Sequence, residues 1–320
     1  MTTLSVIIPT CNRSAVLRRA LQSVIEQDFP CADYEILVVD NASTDNTRIV
    51  TEEVAQTHRE HAIRYVYEPI PGSTAARHRG AAESQGAILV FTDDDIEADH
   101  GWLTAIHNAF RDPQVHMVGG KSLPNYETPP PPGWIEQVSE RIPGAILYCG
   151  TYSLLDFGEQ RLEIDACHIW SLNMSIRRET LYRLGGFHPD LVPRRYQQYQ
   201  GDGETGLSMK LKELGLKAIY EPRALVHHLV PAERLNMEYF EKRMYFQGVC
   251  DSYTSIRKTK KFGFINFTVA FPHTPQEMLA YRKYAGYMLG YNWHQNEVKN
   301  DPRLLQWVLK ENYFDYHYPE

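Results

Sequence analysis

The sequence predicts an α/β protein: a doubly wound, mostly parallel sheet followed by a helical C-terminal extension. Three observations carry that reading. Over the first 120 residues, short β-branched and apolar runs alternate with segments of helical period. Those runs stop in polar or acidic turns, at the place where an open parallel sheet offers its ligand crevice. From Ala232 onward the chain turns mostly helical and rich in Tyr and Phe.

Residues 4–9, Leu-Ser-Val-Ile-Ile-Pro, form a near-continuous apolar run halted by Pro9, as expected of a buried parallel strand. The polar turn 10–14 follows, with Asn12 or Ser14 able to cap a helix bearing Val16, Leu17, Ala20, Leu21, Val24 and Ile25. Residues 34–40 repeat the strand and end in Asp40; residues 41–47 repeat the turn before a helix over 48–57. A third strand spans 63–67, and Gly72-Ser73-Thr74 opens a helix of small residues through Ala82. Residues 87–91 make the fourth strand, which runs into Asp93-Asp94-Asp95.

A helix to about 110 and a strand over 115–120 come next. The stretch 124–134, with prolines at 129–132, is expected to be a surface excursion, neither helix nor sheet. Residues 168–176 read as a strand, 178–184 as a short helix closed by Gly185-Gly186, and 201–206 as an acidic, glycine-rich turn before a helix over 207–214. Separate strands are expected at 218–220 and 226–230.

Composition narrows the function classes. With 320 residues and 43% apolar content, the chain can bury a large core in one body with an appended subdomain. A net charge of −7 without a basic block argues against a nucleic-acid partner. Arg257, Lys258, Lys260 and Lys261 read as a surface patch that could meet a membrane or a phosphorylated ligand. Five scattered cysteines without CxxC spacing indicate neither a disulfide framework nor a zinc site and fit a reducing compartment. No run approaches the roughly 18 apolar residues of a transmembrane helix, and the N-terminus lacks a signal-peptide pattern, so a cytoplasmic protein is expected, with peripheral membrane contact left open. Neither GxGxxG after the first strand nor GxxxxGK[ST] is present, which disfavours dinucleotide and P-loop binding.

The three aspartates are the sharpest feature. Two carboxylates about 5 Å apart repel by roughly 3 kcal/mol at an effective dielectric near 20. A divalent cation is the obvious partner; for an isolated Asp-Asp-Asp, a solvated acidic turn is the alternative.

Several ordered motifs accompany them: Ser5-Val-Ile-Ile-Pro-Thr-Cys-Asn-Arg13, Ile36-Leu-Val-Val-Asp-Asn-Ala-Ser-Thr-Asp45, Ala75-Ala-Arg-His-Arg-Gly80 and Phe91-Thr-Asp-Asp-Asp95. Asn173-Met-Ser-Ile-Arg-Arg178, Gly185-Gly-Phe187 and Gly201-Asp-Gly-Glu-Thr-Gly-Leu207 follow. In this order they resemble the nucleotide-sugar-dependent glycosyltransferases of family 2, which carry the GT-A fold and usually invert configuration. The resemblance implies a GT-A domain over 1–230, with a donor-binding half to about 120 and an acceptor-side half to 230, and a helical extension over 231–320. It also implies transfer, dependent on Mn²⁺ or Mg²⁺, from a nucleoside diphosphate sugar, UDP being the first guess. The acceptor is a hydroxyl of a glycan, a lipid-linked sugar or a small molecule.

By the same resemblance, Pro9, Thr10, Asn12, Arg13, Asp40, Asn41 and Arg77 form the nucleotide-sugar pocket, with Arg79 a second choice beside Arg77. Asp40 would accept from a pyrimidine N–H. Asp95 is the metal ligand, Asp93 lies on the ribose or base side and Asp94 between them; the register of the DxD motif stays open by one. His228 completes the metal or phosphate shell, while His227 points the opposite way in a strand. Glu204 is the general base and Asp202 the second choice, because Gly203 stands where the family pattern has the first of two adjacent acids. Asn173 and Trp170 belong to the acceptor side. The extension would cover the acceptor site, form a homodimer contact or rest on a membrane. A nucleotidyltransferase and an inactive sugar-nucleotide-binding or scaffold protein are the competing readings.

Overall fold

In the computed structural model, which describes residues 3–266, 272–315 and 317–318, strands and helices alternate from the N-terminus. They run β1 (Leu4–Thr10), α1 (Ser14–Ile25), β2 (Tyr34–Asp40), α2 (Thr47–Thr57), β3 (Ala62–Tyr67), α3 (Ser73–Glu83) and β4 (Ile88–Thr92). All pairings among these four strands are parallel, and Thr10 lies opposite Asp40 in the register. The turns after β1, β2 and β4 therefore leave the sheet together, at its carboxyl edge. β2 is buried along its whole length, as a central strand covered on both faces must be. The small residues of α3 let it press onto β1: a Cβ on Gly80 would stand 2.4 Å from Cγ2 of Ile7.

The chain continues through β5 (Ile96–Ala98), α4 (Trp102–Ala109), β6 (Val115–Tyr126), α5 (Trp134–Val138), β7 (Leu147–Cys149), β8 (Leu154–Asp156) and β9 (Leu162–Glu163). Then come β10 (Asn173–Arg177), α6 (Arg178–Arg183), α7 (Glu204–Glu213) and β11 (Lys217–Val230). The sheet order is β3-β2-β1-β4-β10-β6-β11-β5. One core lies beneath α1 and α4, around Leu17, Leu21 and Trp102; the other lies beneath α3, α6 and α7, around Ile7, Phe91 and Phe187. Each fully buried side chain of this kind stabilises by about 1.5–3 kcal/mol.

Five local expectations change. β6 runs to Tyr126, so Pro124 is strand: it sits opposite His228 of β11, where β6 has a partner on one side only, and such an edge tolerates a missing N–H. Trp134 opens α5 instead of belonging to an excursion. The two strands expected at 218–220 and 226–230 are one, β11, with a register shift between Glu221 and Val226. β10 is antiparallel to both neighbours, which makes this half of the sheet mixed. The α1 cap also differs: neither Asn12 nor Ser14 supplies it, and the Ser14 N–H instead donates to Asp45 of the next turn at 3.0 Å.

The extension is α8 (Met237–Thr259), α9 (Pro275–Asn300) and α10 (Pro302–Val308). α8 and α9 cross closely, since a Cβ on Gly290 would meet the Tyr245 carbonyl oxygen at 1.9 Å. Trp134, Tyr152, Phe240 and Met244 join the extension to the β7–β8 region, and Tyr253, Trp307 and Tyr313 join it to Ala75 of α3. Arg257, expected on a solvated patch, donates to the carbonyls of Val308 and Lys310, each at 2.6 Å, and ties α8 to the C-terminal segment. The break expected over 263–275 includes residues 267–271, which lie outside the described residues. Among the described residues the cysteines are free and no helix is long and apolar enough to cross a membrane.

Candidate active site

The three aspartates follow β4 and fall into three environments. Asp94 is buried; its carboxylate accepts from Thr10 Oγ1 at 2.6 Å and from Arg13 Nη1 at 2.5 Å. Burial outweighs these partners and pushes its carboxyl up to about 7. Asp95 is also buried and faces Arg13 Nη2 at 2.8 Å, His228 Nε2 at 3.4 Å and Arg234 Nη2 at 3.5 Å. Burial alone would raise its pKa, but His228 and Arg13 overcome it and hold the carboxyl well below the usual range. Asp93 keeps access to solvent and pairs with Arg77 Nη2 at 3.1 Å.

The loop after β1 is stitched to the loop after β2. Asn12, with φ +56°, accepts from the Thr44 N–H at 2.7 Å, and its own N–H donates to Ser43 Oγ at 2.9 Å. Asp40 is buried, its two oxygens taken by the Ser43 N–H at 2.8 Å and the Tyr65 hydroxyl at 2.7 Å. The Asn41 amide donates to the Glu68 and Ile70 carbonyls and accepts from the Gly72 N–H, which shapes the approach to α3. Pro9, the next-to-last residue of β1, sets the exit of this loop. Arg77 is buried on α3, holds Ser73 and Asp93, and its Nε has no hydrogen-bond partner among the described residues. Arg79 is spent on Glu83, one helical turn away.

The fit of a divalent ion is testable on His228. Its Nδ1 lies 2.7 Å from the Tyr152 carbonyl, an acceptor, so Nδ1 carries a proton and Nε2 is the nitrogen left to face Asp95. Nε2 and the Asp95 carboxylate, 3.4 Å apart, can share either a proton or a metal ion. A carboxylate beside an imidazole nitrogen suits Mn²⁺ better than Mg²⁺. Among the described residues no cluster of three or more His, Cys, Asp or Glu stands ready for a metal. Asp95 and His228 could therefore offer two ligands to a divalent ion, which would need phosphate oxygens or water for the rest. His227, the preceding residue of β11, is only partly buried, in step with strand alternation.

The two acids near α7 separate as clearly. Asp202 is buried, with one oxygen 2.7 Å from His188 Nδ1 and the other accepting from Thr254 Oγ1 at 2.6 Å. Burial opposes its ionisation, but the His188 charge and hydrogen bond lower its pKa on balance, and burial lowers that of His188 against the pull of Asp202. Gly206 makes room for this pair: a Cβ there would lie 2.0 Å from His188 Nδ1. Glu204 is instead the first residue of α7 and remains partly exposed. Burial of its carboxyl, reinforced by Asp190, raises it to about 7. His188→Ala would leave Asp202 as a buried, unpaired charge, and a loss of about 3–5 kcal/mol in urea unfolding is expected; a loss below about 1 kcal/mol would contradict the pairing.

On the expected acceptor side, Asn173 is buried. It accepts from Trp102 Nε1 at 2.9 Å and donates to the Lys121 and Ala224 carbonyls, so its side chain clasps β10 to β6 and β11. Trp170 is partly exposed and packs on Tyr148, ring centroids 4.9 Å apart.

The model of "Glycosyl transferase family 2" matches residues 5–182, more than half of the chain. The chain belongs to glycosyl transferase family 2. A region of 116 residues is 35% identical to glycosyltransferase AglE of Haloferax volcanii, covering 36% of this chain and 38% of that protein. Another of 204 residues is 28% identical to a validoxylamine A glucosyltransferase of Streptomyces hygroscopicus subsp. jinggangensis, covering 59% and 48%. The chain thus spans half or less of the length of these curated relatives. Among solved structures, mannosyltransferase PcManGT of Pyrobaculum calidifontis, in complex with GDP-Man and Mn²⁺, superposes with a TM-score of 0.57 at 21% identity, over 92% of this chain and 72% of that one. The family 2 member described here therefore has the GT-A fold.

Sequence reasoning missed Arg234, His188, Thr254 and Asp190. Arg234 carried one signal, its place six residues beyond His228 in the segment leaving β11. The other three reach the site only through packing.

Proposed function

We propose that this family 2 chain is a metal-dependent, inverting glycosyltransferase that moves a hexose from a nucleoside diphosphate sugar to an acceptor hydroxyl. One observation carries the proposal: the acid turn after β4 is ringed by Arg13, Arg77, Arg234 and His228. That charge set suits a polyanion together with a cation. PcManGT, which shares the fold, is known with a nucleotide sugar and Mn²⁺.

The loops after β1 and β2 hold the nucleoside, with Thr10, Asn12 and Asp40 at its base side; UDP remains the first donor to test. Arg13, Arg77 and Arg234 receive the diphosphate, and the partnerless Nε of Arg77 offers it a donor. A divalent ion on Asp95 and His228 would add Lewis-acid charge at the phosphate oxygens. Glu204 takes the proton of the acceptor hydroxyl as that oxygen forms its bond to the anomeric carbon. The bond from that carbon to the diphosphate breaks on the opposite face, and its electron pair leaves with the diphosphate. A single displacement of this kind inverts the anomeric centre.

Thermal unfolding with a panel of nucleotide sugars tests the reading. One donor is expected to raise Tm in Mn²⁺, with no rise in EDTA, and to undergo slow Mn²⁺-dependent hydrolysis. Stabilisation without hydrolysis or transfer to any acceptor would favour a sugar-nucleotide-binding protein. No stabilisation by any donor would overturn the proposal.

A further inference from the structure

A cavity of about 370 Å³ opens between α8, α9 and the turn joining β7 to β8, outside the nucleotide site. Its size lies in the range of small-molecule sites. Met244, Ala280, Tyr284 and Tyr287 make most of its wall apolar or aromatic. Two cations, Arg243 and Lys283, also line it, and among the described residues neither forms an ion pair. The acid in the lining, Glu140, accepts from the Gly150 N–H at 3.1 Å. Two polar atoms here are buried and have no hydrogen-bond partner among the described residues, Arg243 Nε and Thr151 Oγ1, and Thr151 itself is only 5% exposed. A buried donor left unpaired is costly, so both atoms call for a ligand oxygen.

The cavity is also wired to the reaction centre. Thr151 lines it, while the carbonyl of the adjacent Tyr152 fixes His228 and the Tyr152 hydroxyl donates to the Arg234 carbonyl at 2.9 Å. On α8, Arg243, Gln247, Cys250 and Thr254 follow one another at helical spacing along a single face. Arg243 and Gln247 belong to the cavity; Cys250 Sγ donates to the Gly201 carbonyl at 2.9 Å and Thr254 to Asp202. From Arg243 to Cys250 the helix rises about 10 Å, so the cavity and the turn that bears Glu204 are separated by roughly that length along α8.

We propose that this cavity binds the acceptor and that the acceptor is a phosphate-bearing amphiphile: an anion on Arg243 and Lys283, an apolar body against Met244, Ala280 and the tyrosines, and a linked sugar extending along α8 toward Glu204. The assignment rests on the glycosyltransferase reading for the word acceptor, but the binding does not. Paired cations disfavour an amine-bearing acceptor at the same place.

Calorimetric titration of the full chain with geranyl phosphate, geraniol and inorganic phosphate tests it without turnover. Geranyl phosphate is expected to bind at least tenfold more tightly than either of the others. Arg243→Gln should remove that tenfold advantage over geraniol, and Ala280→Trp, which fills the cavity, should abolish binding; both variants should keep the Mn²⁺-dependent Tm rise with donor, which reports an intact fold. Geraniol binding as tightly would overturn the anion role, and inorganic phosphate binding as tightly would reduce the cavity to a free-phosphate site and overturn the amphiphile. Unchanged geranyl phosphate affinity in both variants, or none in the parent protein, would overturn the site. Loss of donor binding in the parent protein would strike the transferase reading instead, and leaves the two failures distinct.

Discussion

Glu204→Gln is expected to lower kcat by about 10²- to 10⁴-fold while leaving donor affinity unchanged, because the amide keeps the shape of the carboxylate and loses its capacity to take a proton. The same carboxyl predicts the pH profile. Burial, reinforced by Asp190, raises it to about 7, so the ionised, proton-accepting form grows as pH rises through that value. The transfer rate of the parent protein should therefore fall about tenfold per pH unit below roughly 7 and level off above it. Asp190→Asn removes one of the charges that raise the carboxyl, and the limb should move to lower pH. A Glu204→Gln variant that turns over at the parent rate would reassign the base. Asp202 is a poor substitute, because His188 and Thr254 already occupy its oxygens.

Asp95→Ala is expected to weaken binding of a nucleoside diphosphate in Mn²⁺ by about 100-fold or more, near 2.7 kcal/mol. The parent protein should lose comparable affinity when EDTA is added, and the variant should lose little further. The reason lies in what surrounds the carboxylate: His228 Nε2 loses the anionic oxygen that faces it at 3.4 Å once Asp95 is gone. Arg13 keeps Asp94 as a partner, so the loop after β1 should stay in place. Titration calorimetry with and without Mn²⁺ reads the effect; equal affinities in parent and variant under both conditions would remove Asp95 from the metal site.

Much of the donor half is legible in the chain itself. Period-two and unbroken apolar runs, each stopped by a polar turn, specify β1 to β4 within a residue or two, since local sterics and burial act over short stretches. The same runs place Thr10, Asp40 and the aspartates at strand ends, and parallel pairing then brings those ends together. The central half was harder to read. Pro124 suggests a break where β6 continues along an edge, and Glu221 to Val226 suggests two strands where a bulge keeps one. Both depend on partners distant in sequence.

The site divides in the same way. Residue types and order alone determined that acids, arginines and a histidine would gather at the carboxyl edge of a parallel sheet, and that an acidic turn would precede a helix. Only the tertiary structure decided the surroundings each of them meets. Three adjacent aspartates differ because Asp94 is buried against Thr10 and Arg13, Asp95 meets His228 across β11, and Asp93 faces solvent beside Arg77. Glu204 and Asp202, two residues apart, differ because α8 delivers Thr254 to one of them and the segment after α6 delivers His188. The physical reason is that ionisation and hydrogen bonding answer to desolvation and to neighbours within a few ångströms, and long-range folding chooses those neighbours.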